Sequence, residues 1–83
     1  MVQRWLKCTV QKGMFSDERA VSYPPTGACA SSVFVPKEEV EGDVGQQGRV
    51  RVQYFQQGKS AWAVLPAEDQ PIIRVRQTDL AEL

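Results

Sequence analysis

Polar and apolar residues alternate along much of this chain, most regularly in its second half. Arg49 to Phe55 alternates strictly, and Ile72 to Arg76 follows the same two-residue period. Gln56 to Lys59 forms a tight connection between the first of these segments and the apolar run Ser60 to Leu65. Because successive side chains of a strand point to opposite faces, this period predicts β-strands with one buried and one solvated face.

The first half predicts three more strands, at residues 4–10, 19–23 and 29–35, separated by Gly13 and by Pro24-Pro25. Proline in the helix-starting position and acids near the amino end predict one helical turn at Pro36–Val40. A second turn is predicted to start at Thr78. No long segment has the apolar spacing of a helix. We therefore predict an all-β fold, a small antiparallel barrel of five to six strands with a short helical turn.

The alternation also predicts which side chains form the core. The expected core residues are Leu6, Val21, Val33, Val35, Val50, Val52, Trp62, Val64, Ile73, Val75 and Leu80. Met14 and Phe15 lie in a loop, and we expect them to fold back and plug one end of the barrel; an exposed contact is the alternative.

The order of elements in the second half resembles that of the SH3-like small barrels, in which a tight hairpin is followed by one more strand and a terminal turn. The resemblance implies an SH3-like barrel spanning residues 1–83 as a single domain. Such barrels include accessory subunits of complexes, binders of proline-rich peptides and nucleic-acid binders. The chain has no Ala-Leu-Tyr-Asp-Tyr-like segment, so recognition of proline-rich peptides is disfavoured. Val52-Gln53-Tyr54-Phe55 also differs from the Val-Gln-Ile-Tyr segment of the dihydrofolate-reducing barrel.

Composition argues against an enzyme. The chain has no histidine, which removes the commonest general acid–base group and the commonest metal ligand. No pattern of nucleophile and base, no phosphate-binding glycine loop and no metal-ligand spacing is present, so we predict no cofactor and no metal. Cys8 and Cys29 lie in apolar, strand-like segments and are interpreted as reduced, buried thiols; a disulfide and redox chemistry are the alternatives.

The candidate contact surface is the polar side of the alternating strands. Arginines there, together with a turn lysine and two aromatic residues, form a basic and partly aromatic set. The predicted partner-binding residues are Trp5, Arg49, Arg51, Phe55, Lys59, Arg74 and Arg76. The alternative interpretation is a solvated sheet face that discourages edge pairing.

Charge and hydropathy narrow the choice of partner. The ten basic and ten acidic residues give a formal net charge of zero, so no global field draws the chain to nucleic acid or to a membrane. We therefore predict a non-enzymatic binding or accessory module that contacts another protein or a larger complex. A nucleic-acid-binding barrel is the alternative, and a homodimer formed through an open strand edge is a third hypothesis. With no signal-peptide or membrane-span pattern, the expected location is the cytoplasm.

Overall fold

The alternating segments form the strands of one antiparallel sheet. The computed structural model describes residues 2–25 and 31–83, so Cys29 and its predicted role lie outside the described residues. The strands are β1 (Val2–Lys12), β2 (Glu18–Tyr23), β3 (Ser31–Pro36), β4 (Val40–Glu41), β5 (Gln47–Gln57), β6 (Ser60–Val64), β7 (Ile72–Val75) and β8 (Leu80–Glu82). The two helical turns are 3₁₀ turns, at Lys37–Glu39 and Gln77–Asp79. The all-β class, the six main strands and both turns are confirmed; β4 and β8 are additional short strands.

The sheet is ordered β3-β2-β1-β5-β6-β7 and curls into a half-barrel. β4 pairs with β5, and β8 pairs with β1. The two long strands hold the sheet together, since Val2 to Thr9 of β1 pair in register with Tyr54 to Gln47 of β5. β3 and β7 stand at opposite ends of the order, and no pairing joins them in the described part of the chain. The described sheet is therefore open along one seam.

The close approach of β4 to β5 depends on a residue without a side chain. A Cβ placed on Gly48 would meet the carbonyl oxygen of Glu41 and, at 2.9 Å, Cγ2 of Val10. Glycine thus lets the end of β4 lie close to β5 at the point where Gly48 pairs with Cys8 of β1.

The concave face of the half-barrel holds the core. Its buried residues are Leu6, Cys8, Val10, Val21, Val35, Val50, Val52, Ala61, Ala63, Leu65 and Val75. Val33, Ile73 and Leu80 are half-buried and pack against this cluster. At about 25 cal/mol per Å² of buried apolar surface, such a core supplies the main favourable free energy of folding.

The predicted orientation of β6 was wrong. Trp62 and Val64 lie on the outer face, and Ala61, Ala63 and Leu65 are buried instead. The register explains the error: Trp62 pairs with Phe55 and Val64 with Gln53, and directly paired residues share a face of the sheet. Val50 and Val52 take the inner positions of β5, so the alternate residues Gln53 and Phe55 point outward. Val64 and Trp62, which pair with them, therefore point outward as well.

The prediction that Met14 and Phe15 plug the barrel was also wrong. Their side chains are 75% and 66% exposed. The loop turns tightly, with the amide of Glu18 donating to the carbonyl of Phe15 at 3.1 Å, so the chain enters β2 before either side chain can reach the core.

A buried carboxylate anchors the second 3₁₀ turn. Asp79 is 8% exposed, and its Oδ2 accepts hydrogen bonds from the Tyr23 hydroxyl at 2.6 Å and from Arg76 Nε at 3.0 Å. The Tyr23 oxygen in turn accepts from the backbone amide of Arg76 at 3.0 Å. These bonds tie the end of β2 to the segment after β7. No helix in the described ranges is long and apolar enough to cross a membrane.

Candidate protein-binding surfaces

Three of the predicted contact residues meet on the outer face of β1 and β5. Trp5 pairs with Arg51, and the guanidinium carbons of Arg49 and Arg51 lie 4.7 and 5.6 Å from the Trp5 ring centre. Each arginine also faces an acid: Arg49 Nη2 lies 2.5 Å from Glu41, and Arg51 Nε lies 3.7 Å from Glu39. We call this group the Trp5 cluster. Each arginine of the cluster thus has an acidic neighbour, and the indole of Trp5 is half-buried beside the two guanidinium groups.

Two more predicted residues form a separate row across three strands. Phe55 pairs with Trp62, and Trp62 pairs with Arg74, so these outward side chains stand side by side on β5, β6 and β7. We call this set the aromatic row. Gln53 separates it from the Trp5 cluster along β5. The outward basic residues therefore form two groups on the curved sheet.

The remaining two predicted residues lie elsewhere. Lys59 is exposed in the two-residue turn between β5 and β6, where Gly58 supplies the positive φ of 62° that a type II′ hairpin needs at its first turn position. Arg76 is exposed but directs its Nε to Asp79. Neither belongs to the Trp5 cluster or the aromatic row.

A groove that no sequence pattern predicted lies along the open side of the half-barrel. Its volume is about 970 Å³. Three segments form its walls: the loop before β2, the strand β3 with the turn that follows it, and the loop after β6. Its acidic residues are Asp17, Glu18, Glu38, Glu68 and Asp69, and its most exposed apolar residues are Met14, Phe15 and Phe34. We call it the acidic groove.

Backbone hydrogen bonds fix the walls of the acidic groove. The amide of Lys37 donates to the carbonyl of Asp17 at 2.9 Å, joining the loop before β2 to the turn after β3. On the opposite wall, Leu65 donates to the carbonyl of Pro71 at 3.0 Å, which closes the loop after β6 at its base. The carboxylates thus stand on anchored backbone.

The charge of this groove has one sign. No lysine or arginine is among its lining residues in the part of the chain that the structure describes. Glu18 Oε1 accepts a hydrogen bond from the Met14 amide at 3.2 Å, which also positions the exposed methionine. A concave surface lined by carboxylates focuses negative potential and attracts cationic groups.

Sequence reasoning missed the groove because its parts are far apart in the chain. Glu68-Asp69 had the pattern of an ordinary solvated turn, and Asp17-Glu18 likewise. The one sequence feature that could have indicated the groove is Met14-Phe15, two large apolar residues close to the acids Asp17 and Glu18 in a loop. Only the curl of the sheet brings these segments to the same side.

The titratable groups with shifted pKa values lie away from these surfaces. Burial raises the pKa of the Cys8 thiol from 9.0 to about 12. Burial first, and the hydrogen bond to Asp79 second, raise the pKa of Tyr23. The same carboxylate raises the pKa of Arg76. Within residues 2–25 and 31–83, no three His, Cys, Asp or Glu side chains are grouped to hold a metal ion.

Comparison with known proteins returned no relatives: no protein-family model matches the chain, and no curated protein or solved structure is significantly similar to it.

Proposed function

We propose that this chain is a non-enzymatic module that binds another protein, or docks it as an accessory part of a larger complex, through the acidic groove. The observation that carries the proposal is the exposure of Met14, Phe15 and Phe34 beside five carboxylates. Large apolar side chains grouped in a concavity and rimmed by polar residues are typical of protein contact sites.

The chemistry of the described residues supports binding rather than catalysis. Cys8 is a free thiol in the core, where its raised pKa keeps it protonated at neutral pH. Four of the five acids of the groove are exposed in loops and turns, and Glu18 begins β2. They surround apolar side chains, so the groove suits a partner surface with both polar and apolar groups. We further propose that the half-barrel is of the SH3-like kind, on the strength of its hairpin β5–β6, the following strand β7 and the terminal 3₁₀ turn.

The experiment is affinity capture with matched surface variants. The double variant Met14→Ser with Phe15→Ser removes the most exposed apolar groups of the groove, and Val44→Ser removes an exposed apolar residue elsewhere. We expect the wild type and the Val44 variant to retain the same identified protein, and the groove variant to lose it by about tenfold or more, as for interface hot spots. Thermal unfolding of all three should coincide.

A second double variant, Arg51→Glu with Arg74→Glu, tests the contact surface that the sequence predicted. If this variant loses the partner and the groove variant keeps it, the outer face is the contact surface and the groove is not. If no protein is retained specifically by the wild type, the proposed function is wrong.

The aromatic row favours a second candidate function, binding of single-stranded nucleic acid. Phe55 and Trp62 offer adjacent ring faces for stacking, and Arg74 stands beside them to contact phosphate. Such binding should weaken steeply as salt rises and should be lost in a Phe55→Ala, Trp62→Ala double variant, whereas a contact in the acidic groove should survive that double substitution.

A further inference from the structure

We infer that the acidic groove takes an extended, basic segment of the partner protein, which adds a strand to the open edge of β3. The inference rests on the proposed function and specifies the chemistry of the partner. Three observations carry it: the position of the groove along β3, its charge, and the walls on both of its sides.

The groove runs along the edge of a strand. Val33, Phe34 and Val35 are consecutive residues of β3, and all three line it. Because successive side chains of a strand point to opposite faces, a groove that touches three in a row must follow the strand's edge. In the described ranges β3 pairs only with β2, so alternate residues of β3 present their N–H and C=O groups to the groove.

An unpaired edge of this kind is completed by an added strand. Main-chain hydrogen bonds to the edge supply affinity, and pockets for alternate side chains supply specificity. Phe34 is 48% exposed on one side of the strand, while Val33 and Val35 face the core side. A guest strand in this position would lay one set of side chains over Phe34 and Phe15, and the other toward the seam of the half-barrel.

The charge of the groove selects a cationic segment. Asp17 and Glu38 flank β3, and Glu68 and Asp69 face it from the opposite wall, with no described basic residue lining either wall. Lysine or arginine on the guest would meet carboxylates from both sides. An acidic segment would be repelled by the same carboxylates, so the charge of the groove also discriminates against acidic partners.

The two walls favour a single strand over a second copy of the chain. β7 of a second copy has matching chemistry, with Ile72 and Arg74 on the strand and Arg76 directly after it, but it is backed by β6 and the rest of the sheet. The acidic groove is bounded by β3 on one side and by the loop after β6 on the other. A strand that is part of a folded sheet would bring its neighbouring strand against the loop after β6, whereas an extended segment has no strand behind it.

The test uses a synthetic probe, an acetylated and amidated octapeptide of alternating lysine and valine. Binding is measured by calorimetry at low and at high salt. We expect the wild-type protein to bind this peptide, and a peptide with glutamate in place of lysine to show no binding. An analogue that is N-methylated at alternate amides, on the edge that would face β3, should bind about tenfold more weakly because it cannot complete the ladder.

Matched charge reversals locate the binding site. Glu68→Lys with Asp69→Lys should weaken binding of the basic peptide about fivefold to tenfold, while Asp43→Lys with Glu82→Lys, which changes the net charge equally outside the groove, should change it less than twofold. Hydrogen exchange adds a readout that does not depend on affinity. The amides of Ser31–Val35 that exchange freely in the unbound protein should become protected by the peptide.

The outcomes separate this inference from the proposed function. If the groove variant loses a captured protein but the basic peptide neither binds nor competes for it, the groove binds protein and the basic-strand inference is wrong. The inference is also wrong if the wild type binds the N-methylated peptide as tightly as the unmodified basic peptide. It is wrong as well if the Glu68/Asp69 variant binds the basic peptide as tightly as the wild type does. If sedimentation shows concentration-dependent self-association that the Glu68/Asp69 variant abolishes, the occupant is a second copy and the inference is again wrong.

Discussion

Cys8 shows how a strand position can suppress the chemistry of a reactive side chain. The thiol is 1% exposed between Leu6 and Val10, and its pKa is raised to about 12 because the thiolate would lose its hydration. Leu6 was predicted to lie in the core and Cys8 to be a buried thiol, and the burial of both is confirmed. The period alone could not orient β6, where both alternate sets, Ala61 with Ala63 and Trp62 with Val64, are apolar.

A labelling experiment checks the state of this thiol. In a Cys29→Ser background, where Cys8 is the only cysteine, a thiol reagent at pH 8 should react only as fast as the protein unfolds. Stability should also fall as pH rises above 9, because the folded state then holds a proton that the unfolded state has released. The slope should reach about 1.4 kcal/mol per pH unit and persist toward pH 12. Rapid labelling of the native protein would contradict the burial.

At the scale of elements, the two 3₁₀ turns illustrate which features of the fold can be predicted. Pro36 followed by two acids indicated the first turn, and Thr78-Asp79 the second. Their local signals are strong because turn formation depends on neighbouring residues. What fixes the second turn in the fold is Tyr23, 56 residues away from Asp79 in the chain. No local pattern identifies that partner.

Tyr23→Phe tests this long-range anchor. Removing the hydroxyl takes one hydrogen bond from the buried Asp79 and leaves the Arg76 amide without its acceptor. We expect the free energy of unfolding in urea to fall by about 1–3 kcal/mol. Tyr54→Phe is the matched control, since among the described residues its hydroxyl hydrogen-bonds to the exposed Gln56 and Gln77, and it should change stability by less than about 0.5 kcal/mol. Equal effects of the two variants would show that Tyr23 anchors nothing.

For the whole molecule, zero net charge conceals a segregated surface. Acids gather around the groove at β3, while Arg49 and Arg51 are neutralised by neighbouring glutamates on the outer face. Strand parity predicted that Arg49, Arg51 and Phe55 face outward, but it placed Trp62 in the core, so only part of the outer surface followed from the sequence. The acidic groove did not, because it depends on how far the sheet curls, and curvature is set by the packing of all strands together.

The single core should make the sheet unfold as one unit. Val52→Ala removes two buried methyl groups beside the pairing of β1 with β5, and we expect a loss of about 1–3 kcal/mol. In each protein, tryptophan fluorescence and far-ultraviolet circular dichroism should report one shared midpoint, and that midpoint should be lower in the Val52 variant than in the wild type. Val44→Ala, at a 46% exposed position, should leave the midpoint almost unchanged. Separate transitions for the two probes would argue against one cooperative core.

The pairing of the first strand with the fifth also has a consequence for how the protein is made. Val2 finds its partner only at Tyr54, so a chain emerging from the ribosome presents its first strand long before the residues that complete it exist. During that interval the only sheet available is the meander β1-β2-β3, whose apolar face has nothing to cover it. We therefore expect the amino-terminal half to expose this apolar face during synthesis, and the time needed to translate residues 12 to 54 should set how long that exposure lasts.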